Sequence, residues 1–326
     1  MTPLTQIAGS PDSYLHSFEG TQAVIVPMDR AAYRRSIFLD RRISPADEKL
    51  VRVDAGQLGA AAPAPQPAHW IFHVAHCGST LLARALEALA PGDSGGLVLR
   101  EPLALRQLAL APDPSRLRLA LGMLTRRYPG AAETVIKANV PVNFMLGEIA
   151  AAGAVDCALV LYCGLEDYLA AILRSDNHRA WLRNVTCLLA AHFGDTSGLS
   201  DGELGATLWI EQMRRFAGLI AARPETRSLD AEVLFASPAR ALRGVSDHLR
   251  LDCGDEQIAE LTTGPLFSTY SKSPAHAFDN AARLARREAL GPAIGADIAQ
   301  AHAWIARHAA DAEAVTGAVG AAAVEA

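Results

Sequence analysis

Apolar residues along the chain fall into two patterns that take turns. Short continuous runs, Trp70-Ile71-Phe72-His73-Val74, Leu97-Val98-Leu99-Arg100, Thr134-Val135-Ile136-Lys137-Ala138-Asn139 and Ala158-Leu159-Val160-Leu161-Tyr162, have the length and bounding turn residues of buried strands. Arg227-Ser228-Leu229 adds a fifth candidate strand. Between them apolar positions recur at helical spacing: Leu81, Leu82, Ala85, Leu86 and Leu89; Leu117, Leu121 and Leu124; Trp209, Met213, Phe216 and Ile220; Leu242, Val245 and Leu249. Strands that alternate with amphipathic helices predict an α/β fold of three layers, α/β/α, around a central parallel sheet.

Local punctuation places the boundaries. Asp113-Pro114 opens a helix in cap-then-proline order, and Ser200-Asp201-Gly202-Glu203 has the form of a capping box. A long helix is expected from about Glu166, and another begins at Pro141. Ahead of the main run, Ala23 to Pro27 and Ile37 to Asp40 suggest short strands of a small appended layer, and Ala60 to Ala68 reads as a stiff Ala/Pro linker. The expected division is an N-terminal appendage and linker over 1–68, a main domain over 69–312, and a small-residue tail over 313–326 that frays.

Charge and composition narrow the function classes. The 326 residues are 50% hydrophobic and carry a formal net charge of −5, which argues against a general nucleic-acid binder. The N-terminus has no signal-peptide h-region, and the apolar stretch around Ile149 to Cys163 is broken by Asp156 and too short to span a bilayer. The five cysteines show no metal-ligand spacing, and their odd number in a large chain fits reduced thiols of a cytoplasmic protein with no metal. Only Lys49, Lys137 and Lys272 are lysines among 30 basic residues, so a lysine here points to a need for a compact charge.

Candidate chemistry collects where strands end. Ala75-His76-Cys77-Gly78-Ser79-Thr80 joins the first buried strand to a helix, and unpaired N–H groups at such a helix start favour an anion. The nucleotide motif GxxxxGK[ST] is absent, since its second glycine and lysine are missing. A bare corner with no ligand is the alternative at this point. In a parallel sheet Arg100-Glu101, Lys137 to Asn139 and Cys163-Gly164 share the rim with that corner. Glu101 is the candidate general base, and its alternative is an ion pair with Arg100 or an internal arginine.

The order strand, basic residue, small residue, Gly-Ser-Thr, Leu-Leu resembles the 5′-phosphosulfate loop of P-loop sulfotransferases, usually Pro-Lys-Ser-Gly-Thr-Thr followed by leucine. The resemblance implies a sulfuryl transfer from 3′-phosphoadenosine 5′-phosphosulfate (PAPS) to a hydroxyl or amine of a small acceptor. It puts His76 at the family's lysine and makes His76, Cys77, Gly78, Ser79, Thr80 and Leu81 the donor-binding loop. It gives the base to Glu101, as in branches that use glutamate, because Asn139 stands where others have histidine. It gives His76 and Lys137, with the loop amides, the catalytic role of holding the sulfuryl oxygens, Lys137 stabilising the transferring group or leaving phosphate. At the 3′-phosphate end, Cys163 and Ala171 replace the family's arginine and serine, leaving Arg174, Arg179 and, from a C-terminal loop, Lys272 as candidate ligands. The rival readings are a P-loop kinase or phosphotransferase and a non-catalytic anion binder on the same fold.

Overall fold

In the computed structural model, residues 3–90, 92–270 and 273–325 are described. The expected strands form at β4 (Ala68–His73), β5 (Val98–Arg100), β6 (Val135–Lys137), β7 (Val155–Tyr162) and β8 (Arg227–Asp230). They make one five-stranded sheet in the order β5-β6-β4-β7-β8, and every neighbouring pair is parallel. β4, buried along its whole length, lies at the centre with helices following each strand, as the alternation predicts. The parallel order brings the carboxyl ends of β4, β5, β6 and β7 to one rim.

Capping chemistry places the helices. Asp113 accepts from the backbone N–H groups of Ser115 and Arg116, with Pro114 in the first turn of Pro114–Leu124. Ser200 and Glu203 complete the capping box of the 22-residue helix Asp201–Ala222, which buries Trp209, Met213 and Phe216. The helix expected from Glu166 is two, Leu165–Ile172 and Asp176–Leu188, and Pro141 opens a 3₁₀ segment, Val140–Met145. No helix among the described residues is long and apolar enough to cross a membrane.

The first 68 residues carry a small sheet of their own ahead of the parallel one. β1 (Ser13–Glu19), β2 (Gln22–Pro27) and β3 (Val51–Asp54) form an antiparallel sheet, and one apolar core runs without a break from Ile7 to Val319. Ile37 to Asp40 is not a strand; its Leu39 donates from its backbone to the Arg100 carbonyl at 2.7 Å and accepts from Leu103 at 3.2 Å, so the segment is clamped on the end of β5. Ala60 and Ala61 belong to the helix Ala55–Ala61, and the Ala/Pro stretch after it packs so closely on Gly122 that a Cβ there would lie 2.3 Å from the Pro63 carbonyl.

The tail also differs from expectation. Ala312–Ala321 is a helix, and the chain beyond it pairs with β8: Ser228 donates to Ala322 at 2.8 Å and accepts from Val324 at 2.9 Å, while its hydroxyl donates to Val319 at 2.6 Å. Small residues, read as too weak to dock, pack here because Gly244 leaves room for the terminal strand, 2.4 Å from the position its own Cβ would take.

Arg100 fastens the N-terminal layer. It is 1% exposed and donates to the carbonyls of Tyr33, Arg34 and Ser36 and to the Glu87 carboxylate at 2.9 Å. Replacing it leaves a buried carboxylate and three carbonyls without their donor. Arg100→Met is expected to lower stability by about 3–5 kcal/mol, read as a shift in urea midpoint; a change under about 1 kcal/mol would show that water replaces the guanidinium at no great cost.

Candidate active site

Between β4 and the helix Ser79–Leu89 the chain turns through two left-handed residues, His76 at φ 61° and Gly78 at φ 82°. A non-glycine residue there costs energy that neighbouring contacts must offset. The Cys77 thiol donates to the Val74 carbonyl at 2.7 Å, closing the turn from inside. The His76 ring packs edge-on to Trp181 with centroids 5.2 Å apart, and 5.0 Å from His178. Gly78 lies under Phe235, whose ring edge is 2.7 Å from where a Cβ would stand.

This loop leaves the start of an 11-residue helix without a side-chain cap among the described residues. Ser79, Thr80 and Leu81 form its buried first turn. The Thr80 hydroxyl, on a residue 2% exposed, has no hydrogen-bond partner among the described residues. A buried hydroxyl without a partner costs about 1–3 kcal/mol, and an anion seated on the helix start would relieve it.

Two strands away, Glu101 follows β5 with φ 57°, the same uncommon conformation as His76. That turn directs its backbone N–H to the Lys137 carbonyl at 2.8 Å and its carboxylate onto the Lys137 ammonium. Lys137 is 0% exposed, so its ammonium is held inside the protein with Glu101 as its ion-pair partner. Arg100, the alternative partner considered for Glu101, turns instead to Glu87. Phe38 lies over the Lys137 ammonium, 5.5 Å from ring centroid to Nζ, and the Arg42 guanidinium stacks on Phe38 at 3.8 Å. Asn139 is buried at the end of β6, and its Oδ1 has no partner among the described residues.

His73 closes the space behind the pair. Its ring nitrogens lie 2.9 Å from the Val74 carbonyl and 2.8 Å from that of Ala138. Burial, then the charge of Lys137, pushes the imidazole down to about 4, against two carbonyls that favour a proton on each nitrogen. Burial is the largest effect, so the neutral ring is the resting form.

The 3′-phosphate candidates separate. Arg174 donates to His178 at 3.0 and 2.7 Å, and His178 faces His76, so Arg174 belongs to the loop's surroundings. Burial, with the charge of Arg286 nearby, lowers Arg174, as expected where cations gather without an anion between them. Arg179 is not available: Asp201 at 3.0 Å and Asp297 at 2.9 Å hold it in an ion-pair network that ties three helices together. Cys163 is buried, and its carbonyl accepts from Trp209 at 2.9 Å. Lys272 lies outside the described residues.

Residues that the sequence reading did not select also shape the site. His178 bonds Arg174 four positions before it, but Arg174 lies in the break between two helices, so helical spacing does not mark the pair. Trp181 shares the helix of His178, and Phe235 and Phe38 reach the site from elements distant in the chain.

Gly78→Ala should lower stability by about 1–2 kcal/mol from the left-handed backbone alone, measured by urea unfolding. Adding Phe235→Leu relieves the ring contact but not φ, so the double variant should recover only part of the loss; full recovery would place the cost in the ring. Because the folded His73 value lies below the ordinary 6.5, unfolding takes up a proton there between about 4 and 6.5. Its contribution is complete above 6.5 and is lost as pH falls toward 4. The stability profile of His73→Gln should therefore be flatter than that of the wild type across this window, and parallel profiles would refute the neutral ring.

No known family's sequence profile matches the chain, and no curated protein sequence matches it. Its backbone is similar to the solved Sulfotransferase Domain from the Curacin Biosynthetic Pathway, with TM-score 0.42 and 11% identity over 67% of this chain and 84% of that one. That overlap concerns the course of the backbone alone.

Proposed function

We propose that the chain is a sulfotransferase-like enzyme that uses PAPS and transfers its sulfuryl group to a hydroxyl or amine of a small acceptor. The observation that carries this reading is the pairing, on one sheet rim, of an uncapped helix start holding an unpartnered Thr80 hydroxyl with a carboxylate and a buried lysine. The residues fit the phosphosulfate end of the donor. Gly78 keeps the approach to the amides narrow and free of a Cβ, and Thr80 offers a hydroxyl in need of a partner. They fit the 3′-phosphate end less fully, through Arg174, since Arg179 is engaged elsewhere.

When bound, the donor supplies an activated sulfuryl group on a phosphate leaving group. The chain's part is to hold charge and move one proton. Loop amides from Gly78 to Thr80 face the negative oxygens, where fixed dipoles need no reorganisation. Glu101, presented as a carboxylate by its ion pair, accepts the proton of the acceptor. Proton uptake there neutralises the charge that held Lys137, which frees the ammonium to stabilise the oxygens that gain charge. Asn139 Oδ1, buried and without a partner among the described residues, can accept from the acceptor and orient it. His76, edge-on to Trp181, shields the loop from water, which would otherwise hydrolyse the donor.

Calorimetric titration with adenosine 3′,5′-bisphosphate, magnesium-ATP and AMP tests the reading. Binding of the bisphosphate in preference to the others is expected, and selective, magnesium-dependent ATP binding would favour a phosphotransferase instead. Glu101→Gln should leave bisphosphate affinity within about threefold and reduce turnover by about 10²–10⁴-fold. Unchanged turnover removes Glu101 from the chemistry; bisphosphate binding with no turnover in the wild type supports a non-catalytic binder.

A further inference from the structure

At the opposite end of the sheet from this rim, the first residues of β4 and β7 bring together three metal-ligating side chains. His69 Nδ1, an Asp156 carboxylate oxygen and Cys157 Sγ all lie within 4.8 Å of one another. Two neighbours on one strand ordinarily point to opposite faces. Here the register slips: Ala68 pairs with Val155 and Trp70 with Ala158, so His69 faces two residues of β7 where regular pairing allows one. Such a bulge re-aims side chains, and this one lets Asp156 and Cys157 both approach His69.

The cluster has an unmet need. His69 is 2% exposed, and its Nδ1 makes no hydrogen bond among the described residues; Asp156 Oδ2 is 3.5 Å away. A cation already sits at the opening, where Arg250 pairs with Asp156 and lies 3.4 Å from Cys157 Sγ. The Arg250 side chain is 62% exposed and can leave to water at little cost.

We propose that His69, Asp156 and Cys157 form a binding site for a divalent transition metal of the zinc class, closed in the metal-free chain by Arg250. One imidazole nitrogen, one carboxylate and one thiolate are borderline donors that suit such an ion, and the fourth position of a tetrahedron is left for water. On binding, the Cys157 proton passes to solvent and Arg250 withdraws. The two anionic ligands then balance the ion's double charge. Bound there, the ion would pin the amino ends of the central strand pair, far from the anion corner, so the site stands or falls independently of the proposed transferase activity.

Cobalt(II) titration of the full chain reads the site directly, since thiolate ligation gives a charge-transfer band and tetrahedral geometry gives intense visible bands. One equivalent per chain is expected, displaceable by zinc, with a rise in Tm. Arg250→Ala should bind at least about tenfold tighter by removing the competing charge, a difference of about 1.4 kcal/mol. Cys157→Ser should lose the charge-transfer band, and Cys187→Ser, which removes the exposed thiol, should keep it. If Cys157→Ser does not fold, His69→Gln makes the same test through the loss of stoichiometric binding. Absence of binding in the wild type overturns the proposal, even if Arg250→Ala binds, and so does a band that survives Cys157→Ser or vanishes in Cys187→Ser.

Discussion

Two buried cations set the terms for this structure. Arg100 and Lys137 are register partners on the adjacent strands β5 and β6, with 1% and 0% exposure. A charge taken out of water is tolerable only when it is paired and fully hydrogen-bonded. The two solve that requirement differently. The Arg100 fork gathers three carbonyls from residues 33–36 and the carboxylate of Glu87, which makes the N-terminal layer a necessary part of the sheet's environment. Lys137, a compact charge on a flexible stem, relies on Glu101 at the strand end. Since both strands are three residues long, the pairing that satisfies Lys137 also brings the carboxylate to the rim.

Strain is concentrated at the same rim. Among the described residues three non-glycine residues have positive φ, and two of them are His76 and Glu101. The third, Arg250, stands just past the end of the helix Pro238–His248, where left-handed backbone is an ordinary way to stop a helix. His76 and Glu101 have no such routine reason. Each directs a group inward: the loop amides in one case, the carboxylate in the other. Neighbouring contacts offset the strain: Cys77 on Val74 and Trp181 against the ring for His76, and the ion pair with Lys137 for Glu101.

Much of the fold was legible because its signals are local. Continuous apolar runs gave the parallel sheet, and Asp113-Pro114 and Ser200 to Glu203 gave their helix starts through hydrogen bonds spanning three residues or fewer. Glu101 and Lys137 were legible as strand ends, but their direct pairing was not, because it depends on β5 and β6 being neighbours in register. Arg179 illustrates the opposite failure. A basic residue on a helix near the expected site looks the same whether it meets a phosphate or, as here, two aspartates from other helices. How the N-terminal layer is fastened to β5 is not legible, because a carbonyl cluster that needs a buried arginine leaves no periodic trace. The docking of the tail was hidden for a related reason: Ala and Gly carry little burial of their own, and its contacts are backbone hydrogen bonds to Ser228.

The charge arrangement also decides what can grip an anion. Several arginines that sequence alone might assign to a phosphate are already neutralised: Arg283 by Glu232, Arg287 by Asp167, Arg179 and Arg183 by Asp201. Recruiting any of them would expose a carboxylate to the incoming ligand, so their net attraction is small. The helix start after Gly78 has no side-chain cap among the described residues. Its donors are backbone groups with fixed direction, beside a threonine hydroxyl whose need is unmet. An anion brought to this rim would meet chiefly oriented amides. Directional dipoles favour a ligand of defined shape over one of mere charge, which is the property that a group-transfer site requires and a general polyanion surface lacks.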